Sequence, residues 1–285
     1  MKIEKLLVEL EADDVYDDLD MQQLIDINSK AEVIQLVLKN VGHPHSLVRE
    51  NILGILYRLV VEEHLSHSEY ISILNTCLGD VYLFKGIGNR CDLAVFTRAF
   101  SSLYICHIMD LDGKHDFLSQ DQYLLALNKG IHYMNQEVDR RGYVSGNGWA
   151  HAVAHGADMI CALVRNPKFS LEFANDVLGC LASHVTSSDR FMYAEEVRLA
   201  KIIPALLEKG LCKSEFKNWI ESMLPQVKVT SYTDEHHSYV CILFNIASFL
   251  RVTYFLLGED PKHGELCTYI SHYVPTMWAR AHETT

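Results

Sequence analysis

The chain has 285 residues, with 37 acidic against 25 basic side chains and a net charge of −12. A phosphate-binding surface needs clustered Lys and Arg to release counterions, and no such cluster occurs, which argues against a nucleic-acid partner. At 49% hydrophobic and 22% charged, with 15 glycines and 6 prolines, the composition suits one folded body over 1–285 without a long linker. The acidic excess gathers near the start, at Glu9, Glu11, Asp13, Asp14, Asp17, Asp18 and Asp20. Such a run reads as a solvated face or as a docking surface for a cationic partner.

In chain order, Ile3, Leu6, Leu7 and Leu10 predict a short first helix, followed by helices over 20–27 and 30–38. Gly42-His43-Pro44-His45 breaks the chain, because glycine ends helices and the residue before proline avoids the α region. Ser46 stands where a cap would begin the next helix, whose apolar set is Val48, Ile52, Ile55, Leu56 and Leu59. Ser66 to Glu69 predicts a cap before a helix over 70–78, and 79–89 reads as a loop. A strongly apolar helix over 92–107 is interrupted by Arg98, and Leu118 to Asp121 opens another that runs to about 138. Helices follow over 149–163, 170–184, 189–208, 213–224, 234–257 and 262–280. Strand-type alternation is confined to a weak candidate over 227–232.

The pattern predicts an all-α fold of about a dozen helices. The Gly-His-Pro-His turn and helix pairs spaced by about 40–45 residues point to an irregular HEAT/armadillo-like array. Eight scattered cysteines without a C-x-x-C pair read as reduced thiols of a cytoplasmic protein. The start of the chain does not resemble a signal peptide, and the apolar run over 239–257 carries Asn245 and Arg251, so it reads as a buried core helix and not as a membrane span.

Chemistry concentrates in Arg140 to Asp158. A glycine-punctuated loop leads into a helix on which His151, His155 and Asp158 fall within roughly a 60° arc. Imidazoles at i and i+4 could converge on a divalent metal, with Asp158 as an oxygen ligand and Glu195, Glu196 or His236 as candidates for a fourth. The Glu of a zinc-hydrolase motif is absent, since position 152 is Ala. The same residues, with Trp149, could line a polar ligand pocket or simply hold neighbouring helices. Arg98 could clamp an acidic ligand group or pair internally with Asp92, Asp158 or Glu195. One of Glu195 and Glu196 is expected to face the interior. The amides that start the helix after Gly142, Gly146 and Gly148 could hold an anion. Phosphate-binding loops, nucleophile elbows and kinase motifs are absent.

Three stretches resemble a bacterial family catalogued as a domain of unknown function, number 2785. They are Gly42 to Pro44, Val95 to Ser101 (with Ala99 at a variable place) and Arg141 to Asp158, the last following the form R-G-Y-V-x-G-x-G-W-A-H-A-x-A-H-G-A-D. The resemblance covers most of the chain. It implies an all-helical, HEAT-like fold and brings no activity with it.

Two function classes stay open. One is a binding protein whose surface around Trp149, His151, His155, Asp158, Arg98 and Glu195 takes a small molecule or peptide, a cationic or polar one suiting the charge. The other is a metal-dependent hydrolase with His151 and His155 as ligands and Asp158 or Glu195 as third ligand or base. A DNA glycosylase built on HEAT-like repeats would suit the fold but not the charge.

Overall fold

A computed structural model describes residues 2–11, 15–224 and 234–283. They are helical almost throughout, as the 3.6-residue period requires, and divide into two compact units, Met1–Lys168 and Phe169–Thr285. The strand candidate over 227–232 lies outside the described residues.

The first unit contains α1 (Ile3–Leu10), α2 (Met21–Asn28), α3 (Lys30–Asn40), α4 (Ser46–Val61), α5 (His67–Cys77), α6 (Ala94–His115), α7 (Gln120–Gln136) and α8 (Ala152–Arg165). Their starts follow local chemistry. Asp20 accepts the Gln23 amide at the head of α2, and reciprocal capping boxes open α5 (Ser66 with Glu69) and α7 (Ser119 with Gln122). At α4 the expectation of a Ser46 cap fails. Ser46 is already the first helical residue, and His45 stands at the N-cap without a side-chain bond.

The 22-residue helix α6 is apolar nearly all round and is therefore the central element of this unit. It packs against α4, α5 and α8, while α3 pairs with α4 and α7 with α8. Helix α6 thus touches both α4 and α8. Between α7 and α8 the chain forms the hairpin β1 (Tyr143–Val144) and β2 (Gly148–Trp149). That hairpin shortens the expected helix over 149–163, which begins three residues later.

The second unit contains α9 (Ala174–Val185), α10 (Glu195–Ala200), α11 (Ile202–Glu208), α12 (Lys213–Ser222), α13 (Asp234–Gly258) and α14 (Gly264–Glu283). Helix α13 packs mainly against α10 and α14. The expected helix over 189–208 is divided in two. Pro204 cannot donate to the carbonyl of Ala200, and α10 ends there. Residues 187–194 form a loop held by Asn245, whose side chain accepts from the Phe191 amide and donates to the carbonyls of Ser187 and Asp189.

Asn245 therefore finds its partners, but Arg251 does not need buried ones, because it faces solvent. Residues His237–Gly258 are long and apolar enough to cross a bilayer by length and composition, and half of the apolar window is buried against the protein. All eight cysteines are unpaired, and Cys77, Cys106, Cys161, Cys180 and Cys241 are buried. Burial pushes the Cys180 thiol up to about 12, which leaves it unreactive.

Candidate functional site

The glycine-rich loop before α8 owes its shape to two backbone devices. The carbonyl of Gly142 accepts the amides of both Ala150 (2.8 Å) and His151 (3.3 Å), which closes the loop immediately before α8. His151, the N-cap of α8, takes the left-handed conformation at φ 51°. That conformation costs a non-glycine residue about 1–2 kcal/mol and reverses the chain from strand into helix. The reversal lays the Trp149 indole flat on the His151 ring, with centroids 4.6 Å apart and planes 9° apart.

The rings continue in both directions from this stack. Tyr143, opposite Trp149 in the hairpin, meets the indole edge-on at 5.0 Å. His151 meets His155 at 5.5 Å, and His155 meets Phe100 of α6 at 5.5 Å. His155 Nδ1 lies 3.7 Å from Asp158 Oδ2. The structure therefore brings His151, His155 and Asp158 together, as their spacing predicts, and adds Trp149 from the hairpin. Tyr143 is 48% exposed and Trp149 42% exposed, so the end of this series is a partly exposed aromatic shelf.

Arg49 of α4 fixes the shelf from beneath. Its guanidinium is fully buried and donates to the carbonyls of His43 (2.8 Å), Asn147 (2.7 Å) and Trp149 (3.2 Å). It also lies over the Phe96 ring at 4.1 Å and the Phe100 ring at 5.0 Å. Burial pushes it down to about 10, against the charge of Glu50. Asn147 Nδ2 adds a bond to the Pro44 carbonyl. A side chain at Gly42 would stand 2.0 Å from Thr97 Oγ1, and one at Gly148 would stand 2.8 Å from Ser46 Cβ. The Gly42–Pro44 turn, the Val95–Ser101 segment and the 141–158 stretch thus converge on one place.

Arg98 belongs to a different construction. Its guanidinium, fully buried, forms a two-bond pair with Glu137 (2.7 and 3.1 Å) and donates to the carbonyls of Lys85 and Gly86. Burial opposes its charge, but the hydrogen bonds and charge of Glu137 outweigh that and hold the group above its ordinary value. Of the expected partners, Asp92 approaches to 3.7 Å, while the principal partner is Glu137. Asp139 beside it accepts from Arg141 and from the Cys91 amide, tying the 83–92 loop to the hairpin base. These bonds engage Arg98 in holding the loop rather than in clamping a ligand.

Glu195, in the second unit, is 3% exposed and faces inward as expected. Its carboxylate accepts the amides of Met192 and Tyr193, so it shapes the 187–194 loop. The side chain of His236 lies outside the described residues. Among the described residues, no three or more His, Cys, Asp or Glu side chains gather in a way that could hold a metal ion.

Further along the α6–α8 face stand groups that the motif alone did not reveal. The Cys106 thiol lies 3.5 Å from the Asp158 carbonyl and 3.9 Å from Asp110 Oδ2. Tyr57 of α4 meets His107 edge-on at 5.2 Å. Burial pushes the His107 imidazole down to about 4, with Asp158 opposing and His155 assisting, so it is neutral near pH 7. Loss of solvent raises the Asp110 carboxyl, and Asp158 adds to this, while Arg165 and Lys114 work the other way.

Arg49, Tyr57, His107, Asp110, Glu137 and Tyr143 are the residues that sequence reasoning passed over. Arg49 did leave a signal, because it occupies a position on the apolar stripe of Ile52, Leu56 and Leu59. Clefts among the described residues include one of about 420 Å³ along α1–α3 and one of about 400 Å³ lined by Asp80, Phe84, Ile87, Lys129, His132 and Gln136. Neither is the polar pocket expected at the motif.

Compared with known proteins, residues 83–255 match the family model described as "Protein of unknown function (DUF2785)". The Gly42–Pro44 turn falls outside the matched residues. No curated protein and no solved structure matches the chain.

Proposed function

From the premise that this chain belongs to the DUF2785 family of proteins of unknown function, we propose that it is a binding protein whose ligand, a small molecule or a peptide, docks on the Tyr143–Trp149–His151 shelf. The observation that carries this reading is the flat stack of a 42%-exposed Trp149 on His151. Exposed indole faces are costly to leave in water and gain most from a planar or cationic partner. The shelf is also held rigidly, by Arg49 below and the Gly142 carbonyl behind, so little ordering entropy opposes binding.

The HEAT/armadillo character of the helices belongs to the same proposal, supported by the α3–α4, α5–α6 and α7–α8 pairs, with α6 in contact with both α4 and α8. So does a reducing cytoplasmic setting, which the unpaired buried thiols support. The metal-hydrolase alternative has no observation among the described residues in its favour.

The experiment is a thermal-shift screen of metabolite fractions and short peptides against the native chain, Trp149→Ala and His151→Ala. Ligands that raise the native melting temperature should lose that effect in Trp149→Ala. Hits whose shifts persist unchanged in both variants would place binding elsewhere and overturn the reading.

A further inference from the structure

We propose that the C-terminal half of α13 is a contact between two copies of this chain. They pair antiparallel about a two-fold axis at Phe255, so that Arg251 of each copy meets the partner's Glu259.

The two sides of this half-helix differ. Phe249, Leu250 and Leu257 are fully buried, and α13 rests on α14, whose Cys267 thiol lies 3.7 Å from the Tyr254 carbonyl. On the outer side stand Arg251, Tyr254, Phe255 and Gly258, with Glu259 in the turn that follows. Phe255 is 72% exposed, and the Tyr254 ring meets it edge-on at 5.4 Å. A Cβ at Gly258 would meet nothing within 4 Å, so a second helix can approach the backbone closely there. Arg251, Phe255 and Gly258 follow one another at i, i+4 and i+7 and form a single stripe.

The charges at the ends of this stripe select the occupant. Among the described residues, no ion pair or hydrogen bond engages the side chain of Arg251 or of Glu259, and both are exposed. Within one helix an arginine reaches a carboxylate three or four positions away, not eight, which is about 12 Å along the axis. A second copy removes that separation. With the axis at Phe255, position 251 of one copy lies opposite 259 of the other, and 258 lies opposite 252. Each arginine then faces a glutamate, the two Phe255 rings meet, and the open backbone at Gly258 receives the half-buried Val252. A two-fold interface has to be self-complementary in this way. A lipid surface would accept the apolar centre but not the two charges, which are costly to bury unpaired. Exposed ion pairs contribute little energy, so Phe255 supplies the affinity while the charges set register and direction. A stripe of two to three turns is small beside the ~800 Å² per partner of a standard interface, so the dimer is weak and forms as concentration rises.

The test is sedimentation velocity of the full chain over a concentration series reaching the high micromolar range. Phe255→Ser, Arg251→Glu and Glu259→Arg are run in parallel, their folding checked by circular dichroism. The native chain is expected to pass from monomer to dimer, and each substitution to raise the dissociation constant about tenfold or more. Mixing Arg251→Glu chains with Glu259→Arg chains sets opposite charges across the axis at both ends. The mixture is therefore expected to dimerise where neither variant does alone, a rescue that misfolded chains could not give. Phe255→Ser keeps the test valid should a charge variant fail to fold. A native chain that stays monomeric throughout would overturn the proposal, and so would a dimer that tolerates all three substitutions. A monomer that binds phosphatidylcholine vesicles and loses them in Phe255→Ser would give the face to lipid and overturn it as well.

Discussion

The guanidinium of Arg49 donates to the carbonyl of Trp149, a residue 100 positions further along the chain, at 3.2 Å. This contact joins the start of α4 to the strand that carries the exposed indole. It explains why a two-residue strand, which could not hold its shape alone, presents Trp149 in a fixed orientation. Replacing Arg49 by Met would retain much of the packing on Phe96 and Phe100 but leave the carbonyls of His43, Asn147 and Trp149 without this donor. The expected loss is roughly 3 kcal/mol, from several unsatisfied acceptors at about 1 kcal/mol or more each. Urea denaturation measures it, and an unchanged midpoint would show that Arg49 does not hold the loop.

Two glycines of the same loop separate conformation from contact. Gly146 and Gly148 have nearly equal φ, 81° and 82°, so an alanine at either is strained by roughly 1–2 kcal/mol. A Cβ at Gly146 meets nothing within 4 Å, whereas one at Gly148 would stand 2.8 Å from Ser46 Cβ and 3.2 Å from Arg49 Nη2. Gly148→Ala is therefore expected to destabilise the chain more than Gly146→Ala, and only the former should also weaken ligand binding. Equal losses in denaturation and binding would mean that the hairpin does not rest on α4.

The His107 imidazole gives the face a pH dependence with a defined sign. Its ordinary value is 6.5, and in the fold it is pushed down to about 4. Between those limits the unfolded chain holds a proton that the folded chain lacks, so stability falls as the pH drops from 6.5 towards 4. The contribution reaches about 3 kcal/mol at the acid end. Melting temperatures measured across this window should fall less steeply in His107→Gln than in the native chain. Parallel curves for the two would show that His107 protonates as readily in the fold as in water.

Much of the helical fold was legible because helix signals are local. The capping residues Ser66 and Ser119, the apolar stripes and the break at Gly42–Pro44 all act within a few positions of one another. The departures come from long-range bonds. Asn245 and Glu195 hold residues 187–194 as a loop where periodicity predicts helix, and Asn245 lies more than 50 residues away. The candidate site divides in the same way. The common face of His155 and Asp158 follows from helical geometry and was readable, whereas His151 reaches it from the left-handed N-cap position. Pairing Arg98 with Glu137 depends on where the 137–142 segment passes, which no local pattern encodes. Tyr143 joined the site only through the register of the hairpin, whose strands are too short to show alternation.

The most direct measurement follows the indole N–H resonances of Trp149, Trp219 and Trp278 by NMR, with Trp149→Phe to assign the first. The Trp219 indole is bonded to the Leu178 carbonyl in the second unit and serves as an internal control. On addition of a ligand found in the thermal-shift screen, the Trp149 resonance should move in a saturable way while that of Trp219 stays in place. A Trp149 resonance that does not move while the other indoles do, or while calorimetry records binding, would contradict the shelf as the docking surface.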